Sequence, residues 1–230
     1  MHGKSFLANE FPNPLFLSTD GNADKIAAPS INLRNIKGKN GRLIQNIVDQ
    51  TSEVITALSS EEHSYETLVI DVIDDWFVML DEAVCDLLEV EYLGDVPHGR
   101  GWGLRNVKRN NILTQLQNLP LNVIFISRYA SEVDKNGASR ELPSLKEDLL
   151  NMINGTCDYN IQCKRVGKSY IRLAIDRRQA YKREHVKDDR ILKILDTVTN
   201  AFEKEAAPVN NTAVSGNGHR TPVGVRQPKK

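Results

Sequence analysis

Tyr65-Glu66-Thr67-Leu68-Val69-Ile70-Asp71-Val72-Ile73-Asp74-Asp75 is the stretch around which the chain is organised. Leu68, Val69 and Ile70 form a short apolar run with β-branched members, and Asp71 follows at once. A run that is apolar on both faces suits a central strand of a parallel sheet covered by helices. A carboxylate at the carboxyl end of such a strand lies where open α/β sheets bind ligands. The plain alternative is a buried strand followed by a helix-capping aspartate. Gly3-Lys4-Ser5, near the start of the chain, tips the balance, because it supplies the other half of a phosphate-binding site.

A length of 230 residues suits one well-packed α/β domain with a tail. Thirty basic and thirty acidic side chains cancel, so the net charge is zero and any basic patch is local. Cys85, Cys157 and Cys163 are an odd set without metal-ligand spacing, which predicts reduced thiols in a cytoplasmic protein. No apolar run approaches membrane-spanning length, and the amino terminus lacks the pattern of a secretory signal.

In a complete phosphate-binding loop, a strand leads through a glycine-rich turn ending Gly-Lys-Ser/Thr into a helix. Backbone N–H groups cradle the phosphates, the lysine reaches the outer ones and the hydroxyl binds Mg²⁺. Here Gly3, Lys4 and Ser5 are the closing residues of such a loop, and a short helix over Ser5–Glu10 follows, ending before Pro12. Leu15–Leu17 reads as a second buried strand, with Asp20-Gly21-Asn22 as a turn; Asp20 is either a turn residue or a second carboxylate facing the crevice. Ile31–Leu33 predicts a third strand, Lys37–Gly41 a loop, and the spacing of Leu43, Ile47, Val54 and Leu58 a helix. Phe77, Leu80, Val84, Leu87 and Leu88 stripe a helix over Trp76–Val90. Gly94–Gly103 reads as a glycine-rich loop carrying Arg100 and Trp102, followed by a helix over Leu104–Leu119.

Leu121–Ser127 is the clearest strand, with Ser127 and Arg128 at its crevice end. A polar loop is expected over Glu132–Arg140, a helix over Leu145–Ile153, and a hairpin of Tyr159–Lys164 with Ser169–Ile175. Arg177, Arg178, Lys182, Arg183 and Lys187 make the only dense basic segment, either a solvated surface or a nucleic-acid contact. Ile191, Leu195, Val198 and Phe202 stripe a last helix, and Ala206–Lys230 has the composition of a disordered basic tail.

Gly3-Lys4-Ser5, then strands ending at Asp20, Asp71 and Ser127, follow in Walker A, second-strand, Walker B and sensor order. With Tyr92–Asp95 and Gly99-Arg100-Gly101-Trp102-Gly103, the chain resembles the phage nucleotide-binding P-loop ATPases of the AAA/RecA-like type, some of which act in single-strand annealing recombination. The resemblance implies a RecA-like P-loop NTPase core: an α/β fold with a mainly parallel sheet flanked by helices, then a C-terminal β-hairpin, a helix and a disordered tail. It assigns residues 1–185 to the ATPase domain, 186–205 to the helix and 206–230 to the tail. It also implies ATP and Mg²⁺ as cofactors, with Gly3, Lys4, Ser5 and Phe6 on the nucleotide and Ser5 and Asp71 on Mg²⁺. Asp20, Asp71 and Arg100 become the catalytic set, and Ser127 and Arg128 the sensors.

This family's second-strand carboxylate is usually Glu and its sensor His or Gln, so Asp20 and Ser127 are departures. A strand and the first part of the loop are expected ahead of Gly3, beside the strand of Asp71. Single-stranded DNA, other copies of the chain and further phage replication or recombination proteins are the implied partners, in the cytoplasm of a bacterial host. A degenerate, non-catalytic module that binds partners is the alternative.

Overall fold

The computed structural model describes residues 3–21, 27–133, 137 and 139–203. At its centre is a four-stranded parallel sheet in the order β2 (Ser30–Asn32), β1 (Pro14–Ser18), β5 (Thr67–Asp71), β6 (Asn122–Ile126). All five residues of β5 are buried. Its register sets Leu17 and Phe125 on either side of Ile70, and Ser18 and Ile126 on either side of Asp71.

Side chains alternate across the sheet, so β5 divides its run between two cores. Leu68 and Ile70, with Leu15 and Leu17 of β1, face the larger core beneath α2 (Ile47–Ser60), α3 (Ile73–Leu88) and α4 (Arg100–Gln117). Val69 and Phe16 face the smaller one, closed by Ala8 of α1 (Lys4–Asn9) and by Ile126. The strand had to be apolar on both faces because helices cover both. Both edges of β5 are taken, so the strand expected ahead of Gly3 has no place beside it. Among the described residues, the edge without a strand partner on one side of this centre is that of β6.

Two expectations change at helix starts. Leu43 does not open α2; Leu43–Gln45 is β4, paired antiparallel with β3 (Ile36–Lys37). Asn46 Oδ1 accepts hydrogen bonds from Val48 N and Asp49 N, both at 3.0 Å, and so fixes the helix start at Ile47. Gly94–Gly103 is less of a loop than its glycines suggested. It makes two single 3₁₀ turns, Leu93–Asp95 and Pro97–Gly99, and α4 begins at Arg100. Gly101 is there for contact: a Cβ on it would lie 2.4 Å from the carbonyl oxygen of Leu93.

Past β6, the segment expected as a polar loop belongs to a hairpin, β7 (Tyr129–Val133) with β8 (Ser139–Pro143); Lys135 and Asn136 lie outside the described residues. After α5 (Glu147–Asn154), β9 (Tyr159–Val166) and β10 (Ser169–Arg177) form the expected hairpin. The helix expected over 186–205 is α6, confined to Asp189–Leu195. Beyond it Asn200 takes a positive φ of 62°, and Thr199 bridges to Leu173 of β10. The tail from 206 lies outside the described residues. Ala174, Leu195, Val198 and Ala201 make a third core that ties α6 to the hairpin. A groove of about 890 Å³ separates this unit from β6, lined by Val123, Phe125, Leu150, Ile161 and Ile191 among others.

Candidate nucleotide site

The carboxyl ends of β1, β5 and β6 bring four stretches together. Ser5, in the first turn of α1, donates from Oγ to Asp71 Oδ2 at 3.1 Å. Asp71 is the last residue of β5 and only 6 % exposed. Burial pushes its carboxyl above the usual aspartate range. The hydrogen bond from Ser5 opposes the shift, Asp20 adds to it, and Lys4 and Arg128 oppose it. Lys4, Asp20 and Arg128 thus all act on Asp71 electrostatically.

Asp20 is exposed, two residues beyond the end of β1, and accepts a hydrogen bond from Ser18 Oγ at 3.2 Å. Its place relative to Asp71 is set by a residue that sequence reasoning passed over. Thr19 is buried; its N–H donates to Asp71 O at 2.7 Å and its Oγ1 to Val72 O at 2.8 Å. The same Oγ1 accepts from Val72 N at 3.1 Å, so Thr19 stitches the ends of β1 and β5 together. A threonine between a strand and an Asp-Gly turn carries no mark of this in the sequence.

Gly3 precedes α1 at φ 82°, in the left-handed region that favours glycine. Lys4 projects its ammonium over the Tyr129 ring, 5.9 Å from the centroid. Phe6 points outward and is 69 % exposed.

Ser127 and Arg128 follow β6 and are held by the first turn of α3. Ser127 Oγ and Arg128 N donate to the two carboxylate oxygens of Asp74, each at 3.0 Å. Ser144 Oγ also donates to Asp74. Arg128 makes a two-pronged contact with Asp75, Nη1 to Oδ1 and Nη2 to Oδ2 at 2.5 Å each, which holds its guanidinium above its ordinary range. Asp74 and Asp75 carry no mark of this grip in the sequence, where the helix is expected to begin only at Trp76; it begins at Ile73 and includes them.

Arg100 stands apart. It is exposed at the start of α4, and the described contacts of that turn run to the Leu93–Asp95 turn and to Pro97 rather than to Ser5 or Asp71. Within the basic segment Arg183 pairs with Asp196 and lies over Phe202, Lys182 stands 3.8 Å from Glu184, and Tyr181 donates to Asp158 Oδ1 at 2.5 Å. The three cysteines are free, and burial pushes each thiol up and away from reactivity.

A hydroxyl and a buried carboxylate in contact are the donors Mg²⁺ takes in nucleotide sites, where phosphates and water complete its octahedron. Among the described residues no cluster of three or more His, Cys, Asp or Glu offers a protein-only metal cage. A cation beside Asp71 would also stabilise the charge that burial opposes, so the residues fit the group. Among the described residues no helix is long and apolar enough to cross a membrane. A search of curated proteins found no match. A family profile described as "AAA domain" matches residues 1–204. With its parallel sheet, and with Lys4, Ser5 and Asp71 at the strand ends, the chain belongs to the AAA domain family of nucleotide-binding P-loop ATPases.

Proposed function

We propose that Lys4, Ser5, Asp20 and Asp71 form a Mg·ATP site at which ATP is hydrolysed to ADP and phosphate. The observation that carries this is the 3.1 Å contact between Ser5 Oγ and Asp71 Oδ2, across sixty-six positions of sequence. When bound, Mg²⁺ would spread the negative charge of the phosphates. Ser5 and Asp71 would hold the cation, directly or through water, and Lys4 would leave Tyr129 for the outer phosphates. Asp20 orients water for in-line attack. The backbone of Gly3 to Ser5, with Phe6 beside it, forms the near wall of the nucleotide pocket.

Calorimetry with Mg·ATP and a phosphate-release assay test this together. Asp20→Asn is expected to slow hydrolysis far more than it weakens binding, since a water-orienting group acts chiefly in the transition state. Equal losses in both would make Asp20 a ground-state ligand or a structural residue.

A second reading, binding without turnover, is favoured by the sensors. Ser127 and Arg128 are both committed to Asp74 and Asp75, so sensing the outer phosphate requires those contacts to open. Mg·ATP binding with no phosphate release would select this reading, with the chain acting as an interaction partner or loader.

The family resemblance extends the proposal to phage DNA recombination or replication, with nucleotide state controlling single-stranded DNA binding in a homo-oligomer. Exposed Arg100 would then stabilise phosphate charge across the interface between copies. Titrating DNA affinity against salt, with and without nucleotide, tests the DNA role: phosphate contacts predict a steep loss of affinity with salt.

A further inference from the structure

The residues that would meet the nucleotide ride on a helix that cannot hold itself. α1 has six residues, its N-cap Gly3 supplies no side-chain cap, and only Leu7 and Ala8 are buried. Isolated helices of this length do not persist in water. On the sheet side, Ala8 packs under Phe16, Val69 and Ile126.

On the other side α1 is held at both ends by one strand. Arg172 of β10 makes a two-pronged contact with the Glu10 carboxylate just past the last turn, with Nη1 to Oε2 at 2.7 Å and Nη2 to Oε1. The same Nη1 donates to Thr197 Oγ1 at 2.8 Å. At the first turn the ring of Tyr170 lies against Gly3, so close that a Cβ there would stand 3.0 Å from Tyr170 Cδ1. Tyr170 and Arg172 are two residues apart and share one face of β10. The strand is backed in turn: Thr199 N donates to Arg172 O and Ala174 N to Thr199 O, both at 2.9 Å.

We propose that the β9–β10 hairpin is a clamp that sets Lys4 and Ser5 against Asp71, with Tyr170 and Arg172 as its positioning residues. The inference rests on the nucleotide site proposed above and assigns that site a control lying outside the sheet. Anything that shifts the hairpin changes nucleotide affinity without touching the nucleotide.

The test uses the full chain and two readouts: hydrogen exchange of the α1 amides, and Mg·ATP affinity by calorimetry. Arg172→Glu is expected to speed α1 exchange and weaken binding by about tenfold, the scale of a lost charge-assisted contact. Combining it with Glu10→Arg restores both. Tyr170→Phe keeps the ring and changes neither, whereas Tyr170→Ala changes both in the direction of Arg172→Glu. Should Arg172→Glu fold poorly, Arg172→Lys keeps the charge, loses the fork and shows a smaller change of the same sign. Unaltered α1 exchange in Arg172→Glu and Tyr170→Ala overturns the clamp. Faster exchange with undiminished affinity overturns the positioning role. Absence of Mg·ATP binding by the unsubstituted chain removes the nucleotide reading, and this inference with it.

Discussion

Asp71 shows at the scale of one residue how a site works against the fold. Its carboxyl is raised by burial, so the folded chain holds the proton to higher pH than the unfolded chain does. The folded state then binds more protons in the window above the unfolded value, and stability falls as pH rises through it. Asp71→Asn is expected to leave melting temperature at neutral pH unchanged or higher and to flatten that fall, while abolishing Mg²⁺-dependent turnover. Thermal melts across pH, paired with phosphate release, check both halves. Cation binding needs the ionised form, so affinity for Mg²⁺ should weaken at a higher pH than for an ordinary aspartate.

Two glycines of one helix make opposite predictions. Gly101 has the Leu93 carbonyl in the space a Cβ would take, whereas Gly103 has nothing within 4 Å. Gly101→Ala is expected to cost about 1–3 kcal/mol through a forced backbone shift. Gly103→Ala should gain up to about 1 kcal/mol from helix propensity. Denaturant titrations of both measure the contrast, and a similar effect at the two sites would contradict the packing described for Gly101.

Among elements, α2 shows how a boundary is decided by chemistry that periodicity overlooks. Leu43 has the right spacing to start the helix, but Asn46 caps it and Arg42 reaches Asp86 and Glu89 of the α3 end, drawing the preceding residues into a hairpin. Asn46→Ala is expected to destabilise the protein by about 1 kcal/mol, measurable as a shift in denaturation midpoint at unchanged slope.

The strands with continuous apolar runs, β1, β5 and β6, were legible; β1 and β5 are buried almost throughout, and β6 is half-buried beside the groove. β3, β4, β7 and β8 were not legible. They are two to five residues long and carry polar or exposed side chains, and main-chain pairing rather than pattern makes them strands. In the candidate site, the meeting of Lys4 and Ser5 with Asp71 was open to a sequence reading because strand-end position and motif chemistry coincide. The roles of Thr19, Asp74 and Asp75 were not, because they depend on partners more than fifty residues away.

Over the whole molecule, burial and main-chain pairing are unevenly shared. β5 is buried along its full length and bonded on both edges, while the β9–β10 and α6 unit stands across a groove from β6. That unit is tied back by ion pairs, Arg172 with Glu10 and Arg190 with Glu66. Native-state hydrogen exchange is expected to be slowest in β5 and clearly faster in β9 and β10, with the gap widening as salt screens the pairs. Uniform protection would show that the unit and the sheet open together.

The register of β5 also sets a timetable. Its partners begin at Pro14 on one side and Asn122 on the other, each more than fifty residues off along the chain. Parallel pairing at such separation is slow to find, because much chain must be ordered before any of it is rewarded. As the protein leaves the ribosome, β1 has only the three-residue β2 to pair with until Thr67–Asp71 appears, and β5 then keeps one edge bare until Asn122–Ile126 emerges. In that interval the most fully buried strand of the protein is a template for any other strand that passes, so the newborn chain depends on how quickly the next stretch is made.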